Sequence, residues 1–78
     1  MQLDLEPIRR KRNAHKALPP PAMRREIRRL AGLSQEDIAN VLGVHREAVS
    51  RWERGERCPR GDLLFNYVDV LQSLASQS

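Results

Sequence analysis

Arg46, Glu47, Ser50, Arg51 and Arg54 lie within one short stretch, at intervals that place them on the outer side of a helix over 46–54. Together they present guanidinium forks, a carboxylate and a hydroxyl. That mixture of donors and acceptors is what a reader of the DNA major groove requires. A second block, Arg9-Arg10-Lys11-Arg12, has the chemistry of a polyanion contact, most simply with nucleic acid. Both blocks also have a plainer reading as solvated surface. Glu47 and Arg51 are spaced i,i+4 as a helix ion pair, and Arg24, Arg25, Arg28 and Arg29 would suit a wet helix face. That reading leaves the run from Arg9 to Arg12 without a purpose.

Other chemistry is hard to assemble from these residues. The chain has no Gly-rich phosphate loop, no GxSxG or HExxH motif, and no cysteine set among His and Asn. Its carboxylates are scattered singly among arginines, not paired as an acid–base dyad. A catalytic role is therefore not expected. Two histidines and the lone Cys58 cannot build a zinc site by themselves, so neither a metal nor another cofactor is expected. Cys58 reads as an inert loop thiol.

Seventy-eight residues are enough for one small domain with a tail. The net charge of +4 is unevenly divided. Residues 1–30 carry nine basic side chains against three acids, or +6, whereas residues 31–78 carry five arginines against seven acids, or −2. The longest apolar run, Leu63-Leu64-Phe65, is far too short to span a bilayer. The opening Met1-Gln2-Leu3-Asp4 lacks the basic-then-apolar pattern of a secretory signal. Neither a membrane association nor export is expected.

The punctuation of the chain defines the elements that must position these groups. Pro19-Pro20-Pro21 favours an extended stretch and separates residues 1–21, a basic arm with a Pro-rich linker, from a folded domain over 22–78. The arm is open to two readings, a disordered tail or a short helix capped by Asp4, with Pro7 tolerated in its first turn. A helix over about 22–31 is followed by Gly32 as a left-handed stop. Ser34 then caps a helix over about 35–42, with Asp37 completing the box and Leu33 and Ile38 spaced as a hydrophobic staple. Gly43 ends that helix, and Val44 and Val49 repeat the staple spacing around His45 to open the helix over 46–54. After Gly55 and a loop containing Pro59, a last helix runs over about 62–75. With no strand signal, the expected fold is all-α: a compact four-helix bundle with a basic N-terminal arm. The 35–42 and 46–54 helices are joined by a turn of about four residues, with Ala39 small enough for a close crossing and Gly43 at the reversal.

The run Leu33-Ser34-Gln35-Glu36-Asp37-Ile38-Ala39-Asn40-Val41-Leu42-Gly43-Val44, followed by Val49-Ser50-Arg51-Trp52-Glu53-Arg54-Gly55, closely resembles the Cro/lambda-repressor-type helix-turn-helix family. The likeness extends over residues 24–75. It implies a compact helical bundle that binds operator DNA, often as a dimer, and hence a cytoplasmic transcription regulator, a repressor, of bacterial or bacteriophage origin. Matched to the family position by position, Arg46, Glu47 and Arg51 stand where members reach base edges. An arginine suits the O6 and N7 of guanine, and a glutamate accepts from the N4 amine of cytosine. Gln35 matches a position contacting the phosphate backbone, with Ser50, Arg54, Arg57 and Arg60 placed for further contacts. Glu53 matches a position that pairs with an arginine on the preceding bundle helix, here Arg28, so this pair is expected to be structural. Where the family usually has Ser, Thr or Asp as the cap of the reading helix, this chain has His45, expected to act as a cap or a phosphate contact. Trp52, three residues past Val49, is expected in the core.

Many family members carry a further helix used in dimerisation, whereas this chain ends at Ser78. On the 62–75 helix, Leu64, Val68, Leu71 and Ala75 form one apolar stripe, and Leu63, Tyr67, Val70 and Leu74 form a second about 100° away. Packing normally consumes one stripe. The other is expected to be covered by the arm's Leu5 and Ile8 or, preferably, by the same helix of a second copy in a homodimer. Leu3, Leu5 and Ile8 also leave room for a protein partner of the arm. This would suit the antitoxin of a toxin–antitoxin pair, and an excision or recombination factor that bends DNA is a further alternative.

Overall fold

The helix over 35–42 begins where two side chains satisfy the backbone locally. The computed structural model describes residues 4–77, and five helices make up the fold: α1 (Glu6–Ala17), α2 (Pro21–Leu30), α3 (Gln35–Leu42), α4 (Arg46–Glu53) and α5 (Asp62–Ser76). Ser34 and Asp37 form a reciprocal capping box. The Asp37 amide donates to Ser34 Oγ at 3.0 Å, and the Ser34 amide donates to the Asp37 carboxylate at 2.8 Å. These hydrogen bonds hold the Asp37 carboxyl below the usual aspartate range, the bond from the Ser34 amide contributing most. Gly43 closes α3 at φ 69°, a left-handed conformation that a side chain would strain, and so lets the chain reverse into α4.

The bundle core is small and mostly aliphatic. Ile38 and Ala39 of α3 meet Val49 and Trp52 of α4 and Tyr67 and Leu71 of α5. Ala39 and Val49 are fully buried where the two short helices cross. Trp52 lies in this core, its ring 4.8 Å from that of Tyr67 at a tilt of 46°. The Tyr67 hydroxyl is buried with no hydrogen-bond partner among the described residues, and burial, with the nearby Glu53 charge, pushes its pKa up to about 12.

The four helices after the linker are those the sequence punctuation predicts, and the arm adds a fifth. Its backbone is helical from Glu6, and the Asp4 carboxylate accepts from the Glu6 amide at 3.0 Å. This helix docks on α5. Ala14 is buried against Leu64 and Val68, Leu18 and Phe65 flank the contact, and the Arg10 guanidinium lies over the Phe65 ring at 4.9 Å.

That arrangement corrects the expectation of an exposed second stripe on α5. Tyr67 is only 1% exposed, and Leu63, Val70 and Leu74 pack against the main core. The other stripe, through Leu64 and Val68, is covered by α1. The cover is made by Ala14 and Leu18, not by Leu5 and Ile8, which stay exposed, because α1 meets α5 on the side that carries Arg10 and Ala14, about 120° around the helix from Ile8. Leu3, the third apolar residue of the arm, lies outside the described residues.

The linker is fastened to the body. The Arg24 Nε donates to the Pro19 carbonyl at 2.7 Å, and its Nη1 donates to the Trp52 carbonyl at the end of α4 at 2.9 Å. A cation there adds a second donor to a carbonyl that already accepts from the Gly55 amide at 3.2 Å, and it opposes the negative end of the helix dipole. At Gly55, φ 74°, a Cβ would also come within 3.0 Å of the Pro21 ring, so the turn after α4 and the linker approach each other as closely as backbone allows. Among the described residues, no helix is long and apolar enough to cross a membrane.

Candidate nucleic-acid interface

The position of α4 follows from what is buried behind it. Val49, Trp52 and Glu53 face inward, and Glu53 is the one carboxylate on that side. Its Oε2 takes the Arg28 Nε at 2.6 Å and its Oε1 takes Nη2 at 3.0 Å, a two-pronged pair with side chains 11% and 3% exposed. Burial alone would push the Glu53 carboxyl up. Hydrogen bonds from Arg28 and Gln35, with the positive charges of Arg28 and Arg25, outweigh it and hold the carboxyl below the ordinary glutamate range. The hydrogen bond to Glu53 likewise holds the Arg28 guanidinium above its usual range against the opposing effect of burial. Arg28 Nη1 also donates to the Leu33 carbonyl at 2.8 Å, so one guanidinium joins α2, the loop before α3, and α4.

A polar chain runs outward from that pair. Gln35, the first residue of α3, donates through Nε2 to Glu53 Oε1 at 3.1 Å. Its Oε1 accepts from Arg46 Nη1 at 3.2 Å, and Arg46 in turn approaches Glu47 at 3.5 Å. Gln35 thus joins the buried pair to the exposed start of α4 instead of standing free at the surface. Arg46 and Glu47 are open to solvent, with side chains 52% and 60% exposed. The Arg51 side chain is exposed and makes no hydrogen bond or ion pair among the described residues. These three present a mixed row of donors and an acceptor along the outer side of α4.

Two expected members of that face behave otherwise. Ser50 is 8% exposed, and its hydroxyl accepts from Arg54 Nη1 at 2.7 Å. The short serine side chain is covered by the longer arginine one turn later, so it supports Arg54 and does not itself reach outward. Arg54 remains exposed, its Nε bonded to Glu56 at 2.7 Å. His45 occupies the cap position of α4 but makes no side-chain cap hydrogen bond, and it is exposed. The cap reading of His45 is thereby corrected.

Arg57 and Arg60 are exposed in the loop that follows α4, held on either side of the buried Pro59. A shallow groove of about 360 Å³ joins them to Arg51 on α4. Of the arm cations, Arg10 is committed to Phe65, while the side chains of Arg9, Lys11 and Arg12 are exposed on α1 and make no hydrogen bond among the described residues. Two contributors escaped the sequence reading. Arg24 fastens the linker through contacts with backbone carbonyls, for which no residue pattern exists. His15 stands beside the Arg57–Arg60 loop, a juxtaposition created only when α1 docks on α5.

Among the described residues, no group of three or more His, Cys, Asp or Glu is placed to hold a metal ion. Neither a curated protein nor a solved structure matches the chain. A family model described as helix-turn-helix matches residues 25–75, which run from within α2 to the last turn of α5 and include both the crossing of α3 with α4 and the outer row on α4. The chain belongs to the Cro/lambda-repressor-type helix-turn-helix family of DNA-binding transcription regulators.

Proposed function

We propose that this regulator is a sequence-specific repressor, cytoplasmic and of bacterial or bacteriophage origin, which sets the outer side of α4 into the major groove. The observation that carries the proposal is the division of α4: one side is clamped by the Arg28–Glu53 pair, and the other offers Arg46, Glu47 and Arg51 to solvent. These three read base edges, the arginines suited to guanine and the glutamate to the cytosine amine. Gln35, His45, Arg54, Arg57 and Arg60 flank them as backbone contacts or supports, with Ser50 bracing Arg54. Arg9, Lys11 and Arg12 on α1 add non-specific attraction to phosphates. Binding of this kind needs neither catalysis nor a cofactor. A selection from randomised duplexes, followed by footprinting, tests the reading. A defined enriched site is expected, and recovery of no preferred sequence would overturn it.

The regulator acts as a homodimer on inverted half-sites with centres about 10 base pairs, or a multiple of that, apart. With most of α5 covered, the surface that supports pairing is its C-terminal end. There Leu74 and Ala75 line an apolar groove of about 490 Å³ with Ile27, Leu30 and Leu33, and Leu30 is 76% exposed. Sedimentation of wild type and Leu30→Glu checks this: a concentration-dependent dimer is expected only for wild type. A wild type that stays monomeric at high concentration and binds one copy per site would remove the dimer.

A second reading draws on Leu5 and Ile8, which remain exposed on α1 at 44% and 64%. They support a protein partner for the arm, as an antitoxin would have. Replacing Arg9, Lys11 and Arg12 with Gln, which keeps Ala14 and Leu18 seated on α5, separates the two uses. It lowers DNA affinity and the salt slope if the arm contacts phosphates, and leaves both unchanged if the arm serves only a protein.

A further inference from the structure

We infer that the cleft between α1 and the 56–60 loop is a binding site for one phosphodiester group of duplex DNA, held by Arg57 and Arg60 of the loop and His15 of the docked arm helix. The inference rests on the DNA-binding reading of α4 and assigns the arm a defined contact instead of diffuse attraction. The cleft has a volume of about 650 Å³ and is lined by His15, Glu56, Arg57, Cys58, Pro59 and Arg60.

Charge and donor chemistry select the ligand. Arg57 and Arg60 have no acidic partner among the described residues, and both are exposed. The one carboxylate of the cleft, Glu56, is already engaged by Arg54 at 2.7 Å, which blunts its repulsion of an anion. Guanidinium groups match phosphate oxygens with paired, charge-assisted hydrogen bonds. The imidazole of His15 supplies an N–H donor in either protonation state. The buried Pro59, with its fixed φ, holds the two arginines on a short, stiff segment.

Continuity with α4 favours a phosphate of the DNA backbone over a free anion. Arg57, Cys58, Pro59 and Arg60 line both this cleft and the groove that reaches Arg51. The reading side of α4 and the cleft are therefore stations on one surface. Lys11, one helical turn before His15, lies on the same edge of α1 and extends the surface toward flanking DNA. The small Ala14, seated on Leu64 and Val68, is what brings this edge to the loop.

The test uses the duplex enriched by selection on this protein, remade with a single uncharged methylphosphonate at each backbone position in turn. Wild type loses affinity at the position that enters the cleft. His15→Ala and Arg60→Ala are expected to bind more weakly and to become insensitive to the methylphosphonate at that position. Arg60→Ala should also flatten the plot of log affinity against log salt by about 0.9, one phosphate contact. Arg51→Ala stays sensitive there while losing base preference. The inference is overturned if Arg51→Ala loses preference but His15→Ala and Arg60→Ala keep the wild-type backbone profile and salt slope, in which case the DNA-binding reading stands without it. It is also overturned if inorganic phosphate moves the His15 ring resonances and the duplex does not, the mark of a free-anion site. A wild type that binds no duplex removes both readings together.

Discussion

Two arginine–glutamate pairs meet on α4, and they share little beyond composition. At its C-terminal end Glu53 is held by Arg28 at 2.6 Å, both side chains nearly out of water. At its N-terminal end Arg46 and Glu47 touch at 3.5 Å, with half or more of each side chain exposed. The first pair joins helices distant in sequence and has its lone pairs and protons answered by Gln35 and the Leu33 carbonyl. The second joins neighbours, and solvent screens it. An exposed pair of this kind contributes about 0–1 kcal/mol to stability, so its groups can exchange each other for base edges at small cost. The buried pair cannot be released in that way. Firm hold on one side of a two-turn helix and readiness on the other come from the same two residue types, separated by burial alone.

The largest test of this contrast is Glu53→Gln, which leaves the Arg28 charge buried and uncompensated. Such changes cost about 3–5 kcal/mol, and each kcal/mol lowers Tm by about 4–8 °C in a domain of this size. An unchanged melting temperature would mean that the two pairs do not differ as described. Next come Arg46→Ala and Arg51→Ala, each expected to lose about 1–3 kcal/mol of binding at the selected site with no change in melting. A fall in stability of that size would place these side chains in the structural category instead.

Acid sharpens the comparison further. Glu53 and Asp37 both titrate lower in the folded chain than their ordinary values, so their stabilising effect is complete above the unfolded range, near pH 4. It is lost as pH falls through the folded values. Unfolding followed against pH should steepen below about pH 4 in wild type and be flatter in Glu53→Gln. Equal acid sensitivity in the two proteins would show that the pair is not the linked group. Smallest is Ser34→Ala, which removes the cap of α3 at about 1 kcal/mol. Because Gln35 begins that helix and carries the link to Arg46, fraying there should also weaken binding slightly, measured by titration of the same duplex.

Much of the fold was legible because the chain marks its own turns. Ser34, Asp37, Gly43 and Gly55 act within a few residues of where they stand, and local chemistry of that kind can be read along a sequence. The packing of α1 could not be read in the same way. Its buried seat is a single alanine, and its cation–π contact, Arg10 on Phe65, depends on a helix more than fifty residues away. For the same reason the two stripes of α5 looked like one too many: the helix that covers one of them resembles a charged tail. At the candidate site, the Arg28–Glu53 contact was anticipated from resemblance, whereas the burial of Ser50 turns on how one arginine folds back, which spacing does not determine.

On the proposed reading, the exposed side of α4 meets base pairs while its buried side only holds it in place. The most direct measurement is the affinity of wild type and Arg51→Ala for the selected duplex and for each of its single base-pair substitutions. Arg51→Ala is expected to lose discrimination at one or two adjacent base pairs by about 1–3 kcal/mol and to keep it elsewhere. Identical preference profiles for the two proteins would contradict it.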